Sequence, residues 1–198
     1  MGSVSAYSDQ VAQHLRELGI SPTYGIDRRL PLCEEPEEVV LIGLDIFGRA
    51  RHLVAPAAAG WHAMRDAASA DAVDLLLVSA FRTLDYQRAI IDRKLQQGAP
   101  IDEILRANAA PGYSEHHTGR AVDIATRGCP PLTEAFETTT AFTWLTAHAS
   151  RFGFVLSLPR GNPHGLVYEP WHWVYRAAEQ GGGGAEQEKE RISRGGAE

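Results

Sequence analysis

The chain of 198 residues is short of cysteine, of positive charge and of long apolar runs, and each shortage excludes something. Two cysteines, Cys33 and Cys129, cannot build a cysteine-rich zinc module or a disulfide-framed mini-domain. Both lie in loop sequence beside prolines, where one disulfide is conceivable, but two unpaired thiols are expected. Basic residues number 19 against 25 acidic ones, a formal charge of -6, and no basic stripe of the kind that grips nucleic acid is visible. The longest apolar stretches, Val39–Leu44 and Leu75–Phe81, fall far short of the ~20 residues of a membrane-spanning helix. The first ten residues have neither a basic region nor an apolar run, so they do not read as a secretory leader. A cytoplasmic location is the expectation for the chain as written, and the cell envelope if a leader is supplied. A monomer is expected.

What is present suits one soluble domain of ordinary size, with 44% hydrophobic and 22% charged residues. Ser8–Leu18 has the spacing of an amphipathic helix, with Val11, Leu15 and Leu18 on one face and Gly19 as its stop. Val39–Leu44 reads as a strand, followed by a turn through Phe47–Arg51 and a second strand. Ala55–Ser69 is helical, with Trp61, Met64 and Ala68 on one face. Val73–Phe81 is the strongest candidate for a buried strand. Thr83 is placed to cap a helix over Leu84–Gln97, and Gly98 to end it. Further helices are expected over Asp102–Ala109 and Thr139–Arg151, and strands over Ala121–Ala125, Phe154–Leu158 and Trp171–Tyr175. The sum is an α+β domain, a small mainly antiparallel sheet with flanking helices, over residues 1–178 with its motifs in 73–176. The Gly-rich, charged sequence of 179–198 is expected to be a flexible tail.

Chemistry concentrates in two segments. Ser114-Glu-His-His-Thr-Gly-Arg-Ala-Val-Asp123 places polar residues at the mouth of an apolar strand, where an aspartate is costly unless it is paired, hydrogen-bonded or metal-bound. Gly119 lets the chain turn between His116 and Asp123, so that both can face one point. Downstream, Glu169-Pro-Trp-His172-Trp adds a second imidazole and a spare carboxylate. Two imidazoles and a carboxylate make a catalytic zinc set, which leaves a fourth position for water. The extra carboxylate separates a hydrolytic site from a structural one, because a general base must take the water's proton.

The pattern Ser114-x-His116-x-x-Gly119-x-Ala121-x-Asp123, followed by Glu169-x-Trp171-His172, resembles the zinc carboxypeptidases of the VanY and D-alanyl-D-alanine carboxypeptidase type. That group includes peptidoglycan L,D-carboxypeptidases and, more distantly, phage endolysin peptidases and the Hedgehog signalling domain. The likeness extends to Ser79-Ala-Phe-Arg82 and to Tyr86-Gln87, and so covers roughly Val73 to Arg176. It implies a Hedgehog/DD-peptidase-like fold with the zinc site at the sheet, and a peptidoglycan-derived peptide with a free C-terminal carboxylate as substrate. His116, Asp123 and His172 would hold Zn(2+), and Glu169 would be the catalytic base. Arg82, Gln87 and Ser114 would line the substrate cleft, with Arg82 on the terminal carboxylate as a planar, always charged, bidentate donor. Phe81 departs from the tyrosine common among the relatives.

Single residues here have plainer readings. His14, His52, His62, His148 and His164 are expected to be ordinary polar residues. His117 should point away from the metal if the chain there is extended. Trp171 and Trp173 alternate, which would send one to the cleft and the other to the core. A non-haem iron oxygenase would want its carboxylate two residues after the first histidine, where Thr118 stands. An endopeptidase of the same family and a catalytically silent zinc-binding module are the remaining alternatives. Glu169 argues against the second, and Arg82 against the first.

Overall fold

A computed structural model describes residues 2–176, so the tail expected over 179–198 lies outside the described residues. The elements follow in the order α1 (Gly2–Glu17), α2 (Tyr24–Asp27), β1 (Val40–Leu44), β2 (Ala50–Leu53), α3 (Ala55–Ala70), β3 (Leu76–Ser79), α4 (Leu84–Gln96), α5 (Ile101–Ala107), β4 (Ala121–Ala125), α6 (Thr140–His148), β5 (Phe154–Leu156) and β6 (His172–Tyr175). β1 and β2 form an antiparallel hairpin, and the other strands make an antiparallel sheet in the order β3-β4-β6-β5. Among the described residues, no helix is long and apolar enough to cross a membrane.

β4 is the centre of the sheet, and all five of its residues are buried. Its alternation sorts two functions onto two faces. Val122 and Ile124, with Trp173 of β6, join the main core. There they meet Trp61, Met64 and Ala68 of α3, Leu145 of α6, and Phe136 and Phe154. Trp61 and Met64 are fully buried; each such side chain contributes ~1.5–3 kcal/mol relative to exposure. Asp123 and His172 alternate to the opposite face. A second apolar cluster lies among α1, α4 and α5, built from Val11, Leu15, Leu18, Leu84, Ile91, Ile104 and Leu105.

Local chemistry sets the boundaries. Thr83 caps α4, its hydroxyl accepting from Tyr86 N–H at 3.1 Å. The strand expected over Val73–Phe81 shrinks to Leu76–Ser79, because its ends spend their backbone groups elsewhere. Phe81 N–H donates to His52 C=O at 3.1 Å and Arg82 N–H to His116 C=O at 3.2 Å, which peels the chain off the sheet and toward the turn that carries His116. The helix expected over Thr139–Arg151 breaks after His148 and tightens into a 3-10 turn, Ala149–Phe152. Cys33 and Cys129 are free thiols.

Gly119 carries the turn between His116 and Asp123. It sits at φ 64°, closing a 3-10 turn over Glu115–Thr118, while its carbonyl accepts from Val54 N–H at 2.9 Å. A Cβ there would lie 3.2 Å from Val54 Cγ1 and 3.3 Å from Val54 N. Gly119→Ala therefore combines a left-handed residue with a tight contact, and is expected to cost at least ~1–2 kcal/mol of stability. Urea denaturation of the two proteins checks this, and an unchanged midpoint would contradict it.

Candidate metal centre

Strand register brings the metal-donor groups together. Asp123 lies directly opposite His172 in the β4–β6 pair, and opposite Ser79 in the β3–β4 pair. Directly opposed residues share a face, with Cβ atoms ~4.5–5.5 Å apart. The 3-10 turn before β4 then folds His116 over the same point. The ligand atoms of His116, Asp123 and His172 all lie within 4.8 Å of one another, and all three residues are buried.

Each imidazole is oriented by its second nitrogen. His116 Nδ1 lies 2.7 Å from Ala80 C=O. A carbonyl only accepts, so Nδ1 carries the proton and Nε2 presents a lone pair. That Nε2 is buried and makes no hydrogen bond, although Asp123 Oδ2 stands 3.2 Å away. In His172, Nδ1 faces Asp123 Oδ1 at 3.0 Å and Nε2 faces Glu115 Oε2 at 3.0 Å. A buried nitrogen lone pair without a partner, beside a second imidazole and a carboxylate, fits a divalent cation with N/O preference such as zinc.

Two of the three ionisation states agree with that use; burial would lower the third, the His172 imidazole, but Asp123 and Glu115 raise it to about 10, so a cation must displace a proton to bind there. Burial, aided by the Arg82 charge, pushes the His116 imidazole down to about 4, so it is neutral near pH 7. Burial alone would raise the Asp123 carboxyl, but His116 and His172 hold it well below the ordinary carboxylate range.

The triad opens into a cavity of about 370 Å³ whose lining includes Arg82, Gln87, Ser114, His116, Glu169 and His172. Six of the seven expected site residues therefore line one space, and the seventh, Asp123, lies against two of them, His116 and His172. A short turn aims Glu169: its carbonyl accepts from His172 N–H at 3.1 Å, across Pro170 and Trp171. Burial pushes the Glu169 carboxyl up to about 7, against the attraction of His172 and Arg82. Arg82 is mostly buried, its guanidinium 3.8 Å from Asp123, and its ε N–H has no partner. Gln87, expected to line the cleft, is 1% exposed on α4. Its Nε2 donates to Ala109 C=O at 2.8 Å, and its Oε1 is buried and unpartnered. Ser114 is buried at the cavity wall.

Three expectations need correction. Neither Trp171 nor Trp173 lines the cavity: Trp173 is in the main core with Nε1 donating to Pro170 C=O, and Trp171 packs partly buried against that core. His117 does point away from the centre, but on a 3-10 turn rather than an extended chain. Its Nδ1 donates to Arg82 C=O at 2.8 Å and its Nε2 accepts from Gly112 N–H at 3.1 Å, so it ties the Arg82 loop to the cavity wall. His164, expected to be an ordinary polar residue, also lines the cavity, with Nδ1 donating to Arg28 C=O at 3.0 Å.

The sequence motifs passed over Glu115 and Ser157. The Ser157 hydroxyl donates to Glu115 Oε2 at 2.6 Å, the same oxygen that faces His172. A glutamate next to a ligand histidine is a signal, though a weak one; nothing in the spacing marks Ser157. Cys33 also lines the cavity, but burial and the Glu115 charge push its thiol up to about 12, so it offers no thiolate.

Comparisons agree with this geometry. The family model described as VanY, D-alanyl-D-alanine carboxypeptidase, matches residues 50–178. YodJ of Bacillus subtilis (strain 168), provisionally named a carboxypeptidase, is 32% identical over 154 residues, covering 74% of this chain and 56% of that protein. A D-alanyl-D-alanine carboxypeptidase of Enterococcus faecalis (strain ATCC 700802 / V583) is 32% identical over 120 residues, 56% of this chain and 43% of its own length. The chain thus spans about half of the length of these relatives. Among solved structures, the LD-carboxypeptidase LdcB superposes with a TM-score of 0.63 at 32% identity, over 71% of this chain and 69% of its own. A mutant of the vancomycin-resistance D,D-pentapeptidase VanY in complex with Zn(II) gives 0.56 at 27% identity, over 75% and 88%. VanYB in complex with D-alanine-D-alanine gives 0.57 at 28% identity, over 74% and 86%. With its family model matched over more than half its length and its donor set assembled at the sheet, this chain belongs to the VanY D-alanyl-D-alanine carboxypeptidase family.

Proposed function

We propose that the protein is a zinc carboxypeptidase that removes the C-terminal D-alanine from peptidoglycan stem peptides, with Glu169 as general base. The observation that carries this reading is the cavity itself. It holds a bare imidazole nitrogen beside two more metal donors, a carboxylate raised toward neutrality, and a guanidinium with an unpaired N–H. The Zn(II) bound by the VanY structure and the D-alanine-D-alanine bound by VanYB support the same assignment.

His116, through Nε2, Asp123, through its carboxylate, and His172, through Nδ1, would hold the metal. Zinc there would supply Lewis acidity, lowering the pKa of water and polarising the scissile carbonyl. Glu169 accepts the water's proton and returns it to the leaving amine. Burial raises its carboxyl, which helps it hold the proton for return, and a dication beside it would oppose that rise and favour the ionised, basic form. Arg82 takes the substrate's terminal carboxylate, giving its unpaired N–H a partner. Gln87 Oε1 accepts from a peptide N–H, since its amide nitrogen is already committed to Ala109. Ser114 offers a hydroxyl from the same wall.

Mass spectrometry of wall peptides with free or amidated C-termini tests the cut. Release of a single C-terminal residue from the free peptides is expected, and internal cleavage of amidated ones would point to an endopeptidase. Arg82→Ala should lower kcat/KM on free-carboxylate peptides by ~10–100-fold, the range of a charge-assisted hydrogen bond of ~1.5–3 kcal/mol. Amidated peptides should lose far less. Equal losses on both would mean that Arg82 does not read the terminus.

A further inference from the structure

We infer that Glu115, held by Ser157, is a positioning residue that selects the metal-binding tautomer of His172 and thereby sets the site's affinity for zinc. The inference rests on the reading of His116, Asp123 and His172 as the metal site, and assigns roles to two residues outside the family motif.

His172 can place its proton in two ways. Both of its ring nitrogens face carboxylate oxygens at 3.0 Å, Nδ1 toward Asp123 and Nε2 toward Glu115. Asp123 is itself a ligand, so a neutral His172 has two ways to place its one proton. With the proton on Nδ1, the ring donates to Asp123, and the nitrogen facing the donor cluster has no lone pair. With the proton on Nε2, the ring donates to Glu115, and Nδ1 turns a lone pair toward the point where His116 Nε2 and Asp123 converge. Only the second state can bind metal. Glu115 favours it by offering Nε2 an acceptor that can do nothing but accept.

That acceptor is itself fixed. Glu115 Oε2 receives the Ser157 hydroxyl at 2.6 Å as well as facing His172, and Oε1 lies 3.9 Å from Arg176. The contacts come from three parts of the fold. Glu115 opens the 3-10 turn that carries His116, Ser157 follows β5, and His172 begins β6. One carboxylate therefore clamps the second ligand ring to the turn bearing the first. The two glutamates of the cavity divide the work accordingly: Glu115 is committed to the protein, whereas among the described residues no hydrogen bond engages the Glu169 carboxylate.

The test is zinc affinity, measured by competition with a chromogenic chelator on the full chain. Glu115→Ala should weaken zinc binding ~10–100-fold, the usual effect of losing a ligand's outer partner. Turnover of a free-carboxylate peptide should return when zinc is added in excess. Glu115→Gln keeps an acceptor oxygen without the charge and should fall between Ala and wild type, and Ser157→Ala should fall close to Gln. A general structural defect would instead lower the urea midpoint of metal-free protein and leave turnover depressed at saturating zinc. If Glu115→Ala does not fold, the Gln variant decides. Wild-type zinc affinity in the folded Glu115 variants overturns the inference. A wild-type protein that takes up no zinc would instead sink the metal site itself, so the two failures are distinguishable.

Discussion

Glu169→Gln is expected to abolish nearly all turnover while the protein keeps its zinc. The substitution preserves size and hydrogen-bonding reach but removes the only feature general-base catalysis requires, a carboxylate that can accept a proton. Loss of such a group costs ~10²–10⁴-fold in kcat, and KM should change little because peptide binding rests on Arg82, Gln87 and Ser114. The wild-type pH profile supplies a second readout. Glu169 must be ionised to work, so kcat/KM should be full at higher pH and fall as pH drops through its pKa. Burial raises that value above the free carboxylate's 4.5, and the metal's charge opposes the rise. The residual activity of the Gln variant should lack this limb. Zinc lost in parallel with activity would make Glu169 a ligand. Near-normal turnover would remove it from the mechanism.

Replacing any one of His116, Asp123 or His172 by alanine should release the metal and bring hydrolysis to background. A three-ligand site has no redundancy, and its donors are buried together within 4.8 Å of one another. The expected loss of zinc affinity exceeds the ~10–100-fold expected of Glu115→Ala, because an outer partner only orients a ligand whereas these residues form the bonds. The contrast with Glu169→Gln is the useful part: equal losses of activity, opposite effects on metal content. Stoichiometric zinc in all three alanine variants would place the metal elsewhere.

Much of the centre was legible in the amino-acid sequence because its residues come in two tight clusters with fixed internal spacing. A histidine and an aspartate seven positions apart, with glycine between, announce a turn. A glutamate three before a histidine, with proline next to it, announces another. The sheet, the capping of α4 by Thr83 and the antiparallel bias were likewise readable from local pattern. What spacing cannot encode is which residues meet across strands. The pairing of Asp123 with His172 depends on the β4–β6 register, and a slip of one residue would turn either ligand into the main core. Glu115 stayed hidden for the same reason, since its partners His172 and Ser157 lie 57 and 42 positions away. His117 misled differently. An extended chain and a 3-10 turn both point it away from the metal, but only the turn lets it bind the Arg82 carbonyl. Trp171 was misplaced because alternation gives a side chain's face and not how far the cavity extends.

Crystals grown with zinc and measured on either side of the zinc absorption edge would test the central claim most directly. The account predicts a single anomalous peak, enclosed by His116, Asp123 and His172, with Glu169 outside the ligand set. A peak away from these three residues, or one bound by Glu169 in place of any of them, would contradict it.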